Sequence, residues 1–150
     1  MTELVHLEVV DQIAFITLDS EHNRNALSRQ LVTELAAHVT TADADAGVLA
    51  IVIRSAYRVF CSGADLAEAA EGSMTEGARA IIDIQRLILA SAKPVVVVLA
   101  GPVRAGGLGI VGAADIVLAA ESVNFALTEV RLGLAPAVIS ASLIPRLSNR

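Results

Sequence analysis

The sequence has no tryptophan, one cysteine and only four aromatic residues, three phenylalanines and one tyrosine. Because proteins that stack single-stranded bases need aromatic platforms, this scarcity argues against a base-stacking nucleic-acid binder. Cys61 alone cannot form an intrachain disulfide or a cysteine cluster around a metal. The three histidines, His6, His22 and His38, lack the spacing of metal ligands, so no metal site is predicted.

Charged residues are also few, at 18% of the chain, and 11 basic side chains are scattered among 16 acidic ones. Since no basic stripe is present to follow a phosphate backbone, no nucleic-acid partner is expected. The longest uncharged apolar stretch, from Pro94 to Val103, has ten residues, whereas a helix that crosses a bilayer needs about twenty. The N-terminus lacks the basic-then-apolar order of a signal peptide. A cytoplasmic protein without a membrane partner is therefore predicted.

Aliphatic side chains are abundant, and hydrophobic residues make up 55% of the 150-residue chain. Such a composition can bury a sizeable core, which excludes a disordered polypeptide. No linker or low-complexity segment divides the sequence, so one domain is expected over residues 1–150.

Strand-like and helix-like segments alternate along the chain, which predicts an α/β fold with a largely parallel sheet. The apolar runs Val5–Val10 and Ile13–Leu18 predict a hairpin, and Ser28 is expected to cap the first helix. The other expected elements are a buried strand at Val48–Ile53, a helix capped by Thr75 that reaches Ala90 and buries Ala78, Ile81, Ile82 and Leu89, strands at Pro94–Ala100, Ile116–Ala119 and Val123–Ala126, and a last helix from Val138.

The segment from Gly107 to Gly112 matches G-x-G-x-x-G, and Glu129 follows 22 residues after Gly107. An acidic residue about 20 residues beyond this motif is typical of dinucleotide binding, so an NAD-binding oxidoreductase is one hypothesis. The surrounding sequence argues against dinucleotide binding, because the motif does not directly follow the predicted strand. The gap between Gly112 and Ile116 is also too short for a crossover helix.

Two segments rich in small residues, 60–66 and 101–112, each follow a predicted strand. Small residues let backbone amides approach a ligand, and amides at a helix start can donate to an anionic oxygen. If both loops converged on one oxygen they would form an oxyanion hole, whose donors are worth roughly 3 kcal/mol each. The alternative is that both are ordinary strand-to-helix loops, in which Asp65 serves as a helix cap.

Glu129 is the remaining candidate catalytic residue, because it lies in the largely apolar segment from Leu127 to Leu134. A carboxylate in such surroundings is suited to general acid–base catalysis. The alternative is that Glu129 forms a salt bridge to Arg131 or lies in a surface loop.

Taken together, these residues resemble the enoyl-CoA hydratase/isomerase (crotonase) superfamily over almost the whole chain. In chain order the blocks that carry the similarity are Asn23–Leu27, Phe60–Leu66, Lys93–Pro94, Gly101, Ala105–Gly107, Ala114–Ile116 and Glu129–Leu134. The resemblance implies a crotonase-like (ClpP/crotonase) α/β fold, a spiral of ββα units.

The resemblance also implies an acyl-CoA thioester as substrate, with the amides of Ala64 and Gly106 as the oxyanion hole and Glu129 as acid and base. Arg24 matches a region where the family places a basic residue near the CoA phosphates, although a solvated loop arginine is an equal alternative. The implied substrate-binding residues are Arg24, Ala26, Ser62, Ala64, Asp65, Leu66, Gly107 and Gly109. Coenzyme A is part of the substrate, so no separate cofactor is expected.

One position departs from the family pattern. Hydratases of the best-known type have a second glutamate three residues after the second oxyanion residue, where this chain has Gly109. The leading hypothesis is a hydratase that adds water to a 2-enoyl-CoA with Glu129 alone. The alternatives are a Δ3-Δ2 enoyl-CoA isomerase, a methylglutaconyl-CoA-type hydratase in which Gly109 frees space for a branched or carboxylated chain, and a non-catalytic acyl-CoA binder.

Family members are usually longer, with C-terminal helices that cover the core and build trimers. The resemblance therefore implies that this chain is an incomplete core, with Leu143, Ile144 and Leu147 in need of a partner. A homo-oligomer, trimer or hexamer, is expected where the C-terminal region is present.

Overall fold

The computed structural model describes residues 2–71 and 74–147. Strands and helices alternate along them, with short 3-10 turns at Glu21–Asn23, Thr128–Leu132 and Ile144–Arg146. In chain order the elements are β1 (Val5–Val10), β2 (Ile13–Leu18), α1 (Arg29–Ala44), β3 (Ala50–Ser55), α2 (Leu66–Glu71), α3 (Met74–Ala90), β4 (Val95–Leu99), β5 (Val103–Arg104), α4 (Gly107–Ala113), β6 (Ile116–Ala119), β7 (Phe125–Ala126) and α5 (Ala137–Leu143).

The main sheet has the strand order β1-β2-β3-β4-β6. β1 and β2 form the predicted antiparallel hairpin, and the remaining neighbours are parallel. Asp11 and Gln12 turn the hairpin with φ values of 48° and 66°, as a two-residue hairpin loop requires. A second small sheet pairs β5 with β7. The prediction of an α/β fold with a largely parallel sheet is confirmed.

Helix α1 covers the sheet through its apolar side. Leu31, Leu35 and Val39 are buried in the same core cluster as Ile16 and Ile51 of the strands. The helix begins where it was predicted to begin, because the hydroxyl of Ser28 accepts the N–H of Leu31 at 3.3 Å. Such a cap satisfies one of the free amides of the first turn.

Helix α3 differs from its prediction in the residue at which it begins and in some of the residues that it buries. The helix begins one residue before Thr75, so Thr75 lies in its first turn and does not cap it. Its buried side is formed by Ile84, Gln85 and Ile88. Ile81 packs against the core as predicted, whereas Leu89 is 57% exposed. Apolar residues occur on both sides of this helix, so the spacing of apolar positions did not determine which side faces the core.

The G-x-G-x-x-G segment lies inside α4, a helix of seven residues that are all buried. A Cβ at Gly107 would lie 2.7 Å from the Cβ of Cys61, which is closer than two side chains can pack. Close helix packing therefore accounts for this glycine of the motif.

Apolar residues near the end of the chain are only partly covered. Ile144 and Leu147 are 68% and 65% exposed, while Leu143 packs against the core. All four residues of β6 are exposed as well.

Within residues 2–71 and 74–147 we find no helix that combines the length and the apolar character needed to cross a membrane.

A small polar network joins the ends of the first three strands. The Nε2 of His6 lies 2.8 Å from one carboxylate oxygen of Asp19, and the hydroxyl of Tyr57 donates to the other at 2.5 Å. The hydrogen bond to Asp19 raises the pKa of His6. The hydrogen bonds from Tyr57 and then from His6 lower the pKa of Asp19.

This network predicts a pH-dependent stability. Below its ordinary pKa, protonated His6 contributes its full stabilisation, which is lost as the pH rises through the raised pKa of the folded state. The contribution also needs ionised Asp19, so it disappears again as the pH falls through the lowered pKa of Asp19. The loss of unfolding free energy caused by His6→Gln, measured by urea denaturation, should therefore be larger near pH 5.5 than near pH 8.5.

The matched control is His22→Gln, which changes an exposed histidine outside this network. An equal loss at both pH values for His6→Gln would contradict the assignment.

Candidate active site

A cavity of about 500 Å³ lies between α3, α5, the loop before α2 and the 3-10 turn at Thr128–Leu132. Ala64, Gly106 and Glu129, the three predicted catalytic residues, all line it. Most of the remaining wall is apolar, and its larger apolar side chains are Leu27, Val32, Leu66, Ile81, Leu132, Leu134, Val138 and Ile139. The structure thus brings three residues from distant parts of the chain to one apolar cavity.

Two backbone loops meet at the edge of this cavity. A Cβ at Gly63 would lie 2.9 Å from the Cβ of Ala105 and 3.8 Å from the amide nitrogen of Gly106. A Cβ at Gly106 would lie 3.9 Å from the amide nitrogen of Ala64. Gly63 has a φ of +100°, which side chains rarely tolerate, so glycine is needed at this turn.

The amides of Ala64 and Gly106 are available to a ligand. Among the hydrogen bonds of residues 2–71 and 74–147, neither amide donates to a protein acceptor. Two neighbouring N–H donors with fixed backbones can stabilise negative charge that develops on a bound oxygen, because they need no reorganisation during the reaction.

The loop that carries Ala64 is held from both sides by backbone hydrogen bonds. The N–H of Leu27 donates to the C=O of Gly63 at 2.8 Å, and the N–H of Arg104 donates to the C=O of Cys61 at 3.0 Å. Cys61 itself is buried, and burial raises the pKa of its thiol to about 12. Cys61 belongs to the core cluster and acts as a small packing residue.

Asn25 is a positioning residue that sequence reasoning did not single out. It is completely buried. Its Oδ1 accepts the N–H of Ser20 at 2.7 Å, while its Nδ2 donates to the hydroxyl of Ser55 at 2.8 Å and to the C=O of Phe60 at 3.1 Å. Asn25 therefore connects two loops at the point where the loop bearing Ala64 begins. The only signal in the sequence was its place within the Asn23–Leu27 block.

Glu129 lies in the 3-10 turn at Thr128–Leu132. Its Oε2 is buried and has no hydrogen-bond partner within the described part of the chain. Among the ion pairs of the same residues none joins Glu129 to Arg131, so the pairing alternative is not realised. A buried polar atom without a partner is rare and calls for an explanation. Exchange of a proton with a bound molecule would provide one.

Ser62, Asp65 and Leu66 also line the cavity. Asp65 acts as the predicted cap of α2, because its Oδ1 accepts the N–H of Ala67 at 3.0 Å. Its other oxygen accepts from the side chain of Asn23 at 3.0 Å. The cap therefore also ties α2 to the loop after the hairpin.

Four residues predicted to bind substrate are not part of the cavity wall: Arg24, Ala26, Gly107 and Gly109. Arg24 is exposed and supports the site through its backbone, since its C=O accepts the N–H of Ser62 at 3.1 Å. Ala26, Gly107 and Gly109 are buried. Contact of these four residues with substrate stays a prediction.

The expectation that Gly109 frees space for a larger acyl chain is wrong. A Cβ at Gly109 would lie 2.9 Å from Cδ of Gln85 and 3.0 Å from Cγ2 of Ile139. The space beside Gly109 is therefore already filled by side chains from α3 and α5. The sequence did not indicate this, because these residues are far from Gly109 along the chain.

The family model for enoyl-CoA hydratase/isomerase matches residues 8–148. The chain belongs to this family. It is 37% identical over 129 residues to the enoyl-CoA hydratase AFT6-1 of Alternaria alternata, an alignment that covers 86% of this chain and 43% of that protein.

Solved structures of the enoyl-CoA hydratase/isomerase family confirm the crotonase-like fold. The crystal structure of an enoyl-CoA hydratase from Mycobacterium avium matches with a TM-score of 0.88 and 41% identity, covering 100% of this chain and 60% of that one. AtuE of Pseudomonas aeruginosa matches with a TM-score of 0.89 and 31% identity, covering 96% and 58%. The chain thus spans 43% to 60% of the length of these relatives.

We predict that Asn25→Ala lowers the free energy of unfolding by about 2–3 kcal/mol, because it leaves buried backbone groups of two loops without hydrogen-bond partners. The free energy of unfolding from urea denaturation measures the effect. The control, Arg24→Ala, changes an exposed side chain in the same loop and should cost less than about 0.5 kcal/mol. Equal losses for the two variants would show that the Asn25 amide does not hold these loops together.

Proposed function

We propose that this chain carries the catalytic core of an enzyme that adds water to the double bond of a 2-enoyl-CoA thioester. One observation carries the proposal. Two amides without a protein acceptor, those of Ala64 and Gly106, line the same apolar cavity as the unpartnered carboxylate oxygen of Glu129. Membership of the family and the relatives named enoyl-CoA hydratase support the substrate class.

In this reaction the two amides act on the thioester oxygen. When water adds to C3, electrons move from the double bond to form a thioester enolate, and negative charge collects on that oxygen. The amides of Ala64 and Gly106 stabilise the enolate more than the neutral carbonyl, and this difference accelerates the step.

Glu129 moves the protons. Its carboxylate takes a proton from the water molecule as the oxygen bonds to C3, and the resulting carboxylic acid then gives a proton to C2. Water is thereby added across the double bond, and Glu129 returns to its starting form. A single carboxylate is sufficient if it reaches both carbons from one side, and the apolar wall around it keeps other proton donors away.

The acyl chain would lie along the apolar wall, and the CoA portion would leave the cavity past Asp65 and Leu66. Arg24 is an exposed cation in the loop beside this opening and is suited to the CoA phosphates. A homo-oligomer, trimer or hexamer, and a cytoplasmic location remain predictions.

The second candidate is a Δ3-Δ2 enoyl-CoA isomerase. One observation favours it: position 109, where a two-glutamate hydratase has its second carboxylate, is a buried glycine in contact with Gln85 and Ile139. A single carboxylate can take a proton from C2 of a 3-enoyl-CoA and return it to C4, and the same amides would hold the dienolate formed between these two steps. Turnover of 3-enoyl-CoA compared with 2-enoyl-CoA separates the two reactions.

For the hydratase we predict that Glu129→Gln lowers kcat/KM on crotonyl-CoA by about 100-fold to 10,000-fold, because the amide cannot accept and return the proton. The binding of butyryl-CoA, which has no double bond to hydrate, should change little. Steady-state kinetics and calorimetry measure the two quantities.

The control is Glu121→Gln, which removes a carboxylate from an exposed loop outside the cavity and should leave turnover unchanged. If Glu129→Gln retained full turnover, Glu129 would have no part in the chemistry. If the wild-type protein bound acyl-CoA but converted neither enoyl isomer, the chain would be a non-catalytic binder.

A further inference from the structure

Gln85 is a buried polar residue of α3 that has no part in the mechanism above. It is 4% exposed and lies behind the cavity wall without lining the cavity. A carboxamide at such a place must be satisfied by protein groups. Its Nε2 donates to the C=O of Ile81 and to the C=O of Val138, both at 3.2 Å, and its Oε1 accepts from the hydroxyl of Ser142 at 2.7 Å.

These hydrogen bonds join α3 to α5 at the place where both helices form the cavity wall. Ile81 of α3 and Val138 and Ile139 of α5 line the cavity. The bonds to the C=O of Val138 and from the hydroxyl of Ser142 cross from α3 to α5, so the side chain of Gln85 is held between the two helices.

Gln85 also fills the space between α4 and α5. A Cβ at Gly109 would lie within 2.9 Å of the Gln85 carboxamide carbon and within 3.0 Å of Ile139. Among the residues that line the cavity, Ile139 is 1% exposed whereas Leu66 and Glu68 are exposed, so we take Ile139 as the inner end of the cavity and Leu66 and Glu68 as its mouth. The side chain of Gln85 thus lies directly beyond the inner end.

We infer that Gln85 is a specificity-determining positioning residue: held by α3 and α5, it closes the inner end of the cavity and limits the length of the acyl chain that can bind. The inference rests on the proposed function for its ligand, an acyl-CoA thioester. The limit is steric, so shortening the side chain should lengthen the cavity towards Gly109.

The test measures the binding of saturated acyl-CoAs by calorimetry and needs no turnover. Gln85→Ala removes four heavy atoms beyond Cβ. We expect the affinity for octanoyl-CoA relative to butyryl-CoA to rise about tenfold, as two further buried methylene groups would provide. Gln85→Met is the matched control, because it keeps the volume while removing the hydrogen bonds, and it should leave this ratio nearly unchanged.

A second variant keeps the test decisive if Gln85→Ala does not fold. Ile139→Val removes one methyl group from the other side of the same closure and should raise the ratio about threefold, in proportion to the volume removed. The inference is overturned if the ratio of octanoyl-CoA to butyryl-CoA affinity is unchanged in folded Gln85→Ala or in Ile139→Val. It is also overturned if Gln85→Met raises this ratio as much as Gln85→Ala does, because that would indicate a general loosening of α5. If the wild-type protein bound no acyl-CoA, both the proposed function and the inference would fail. If it bound acyl-CoA but the ratio of the two affinities did not change in the variants, only the inference would fail.

Discussion

The site depends on the contact between the loop that carries Ala64 and the loop that begins α4. A side chain at Gly63 or Gly106 would bring new atoms within 2.9 Å of its neighbours. This close approach is the reason why two amides from separate parallel-strand connections lie side by side. The loops remain together because backbone hydrogen bonds and the buried amide of Asn25 secure them to the preceding segments. The amides therefore hold their positions in the absence of a ligand, which is the condition for electrostatic preorganisation.

Around these amides the chain builds an apolar space with one unpartnered carboxylate oxygen. The apolar wall comes from the four helices α1, α2, α3 and α5, from a 3-10 turn and from the adjoining loops. The Oε2 atom of Glu129 has no hydrogen-bond partner within the described residues, whereas the carboxamide of Gln85 is hydrogen-bonded to groups of α3 and α5. The two residues illustrate different uses of buried polar groups. A carboxylate oxygen without a hydrogen-bond partner can exchange a proton, whereas a carboxamide whose hydrogen bonds are all made can only hold its neighbours in place.

Sequence reasoning succeeded where the signal was local. The hairpin came from two apolar runs with a turn between them, and the start of α1 came from a capping serine. Ala64, Gly106 and Glu129 were found because their blocks resemble those of a known family, and the cavity contains all three. It misplaced the cap and part of the buried side of α3, in which apolar residues lie on both sides, and it overlooked Asn25 and Gln85. Both of these residues act through partners that are distant along the chain.

The sequence by itself determined the order of the longer strands and helices, although not β5 and α4, and it determined the family and three of the residues that line the candidate site. These follow from periodicity, from capping chemistry and from short blocks of residues that resemble those of a known family. The tertiary structure alone decided which side of α3 is buried, that the place beside Gly109 is filled, and that Gln85 joins α3 to α5 behind the cavity wall. Such features depend on which helices pack together, and a position along one chain does not reveal the side chain that another helix brings against it.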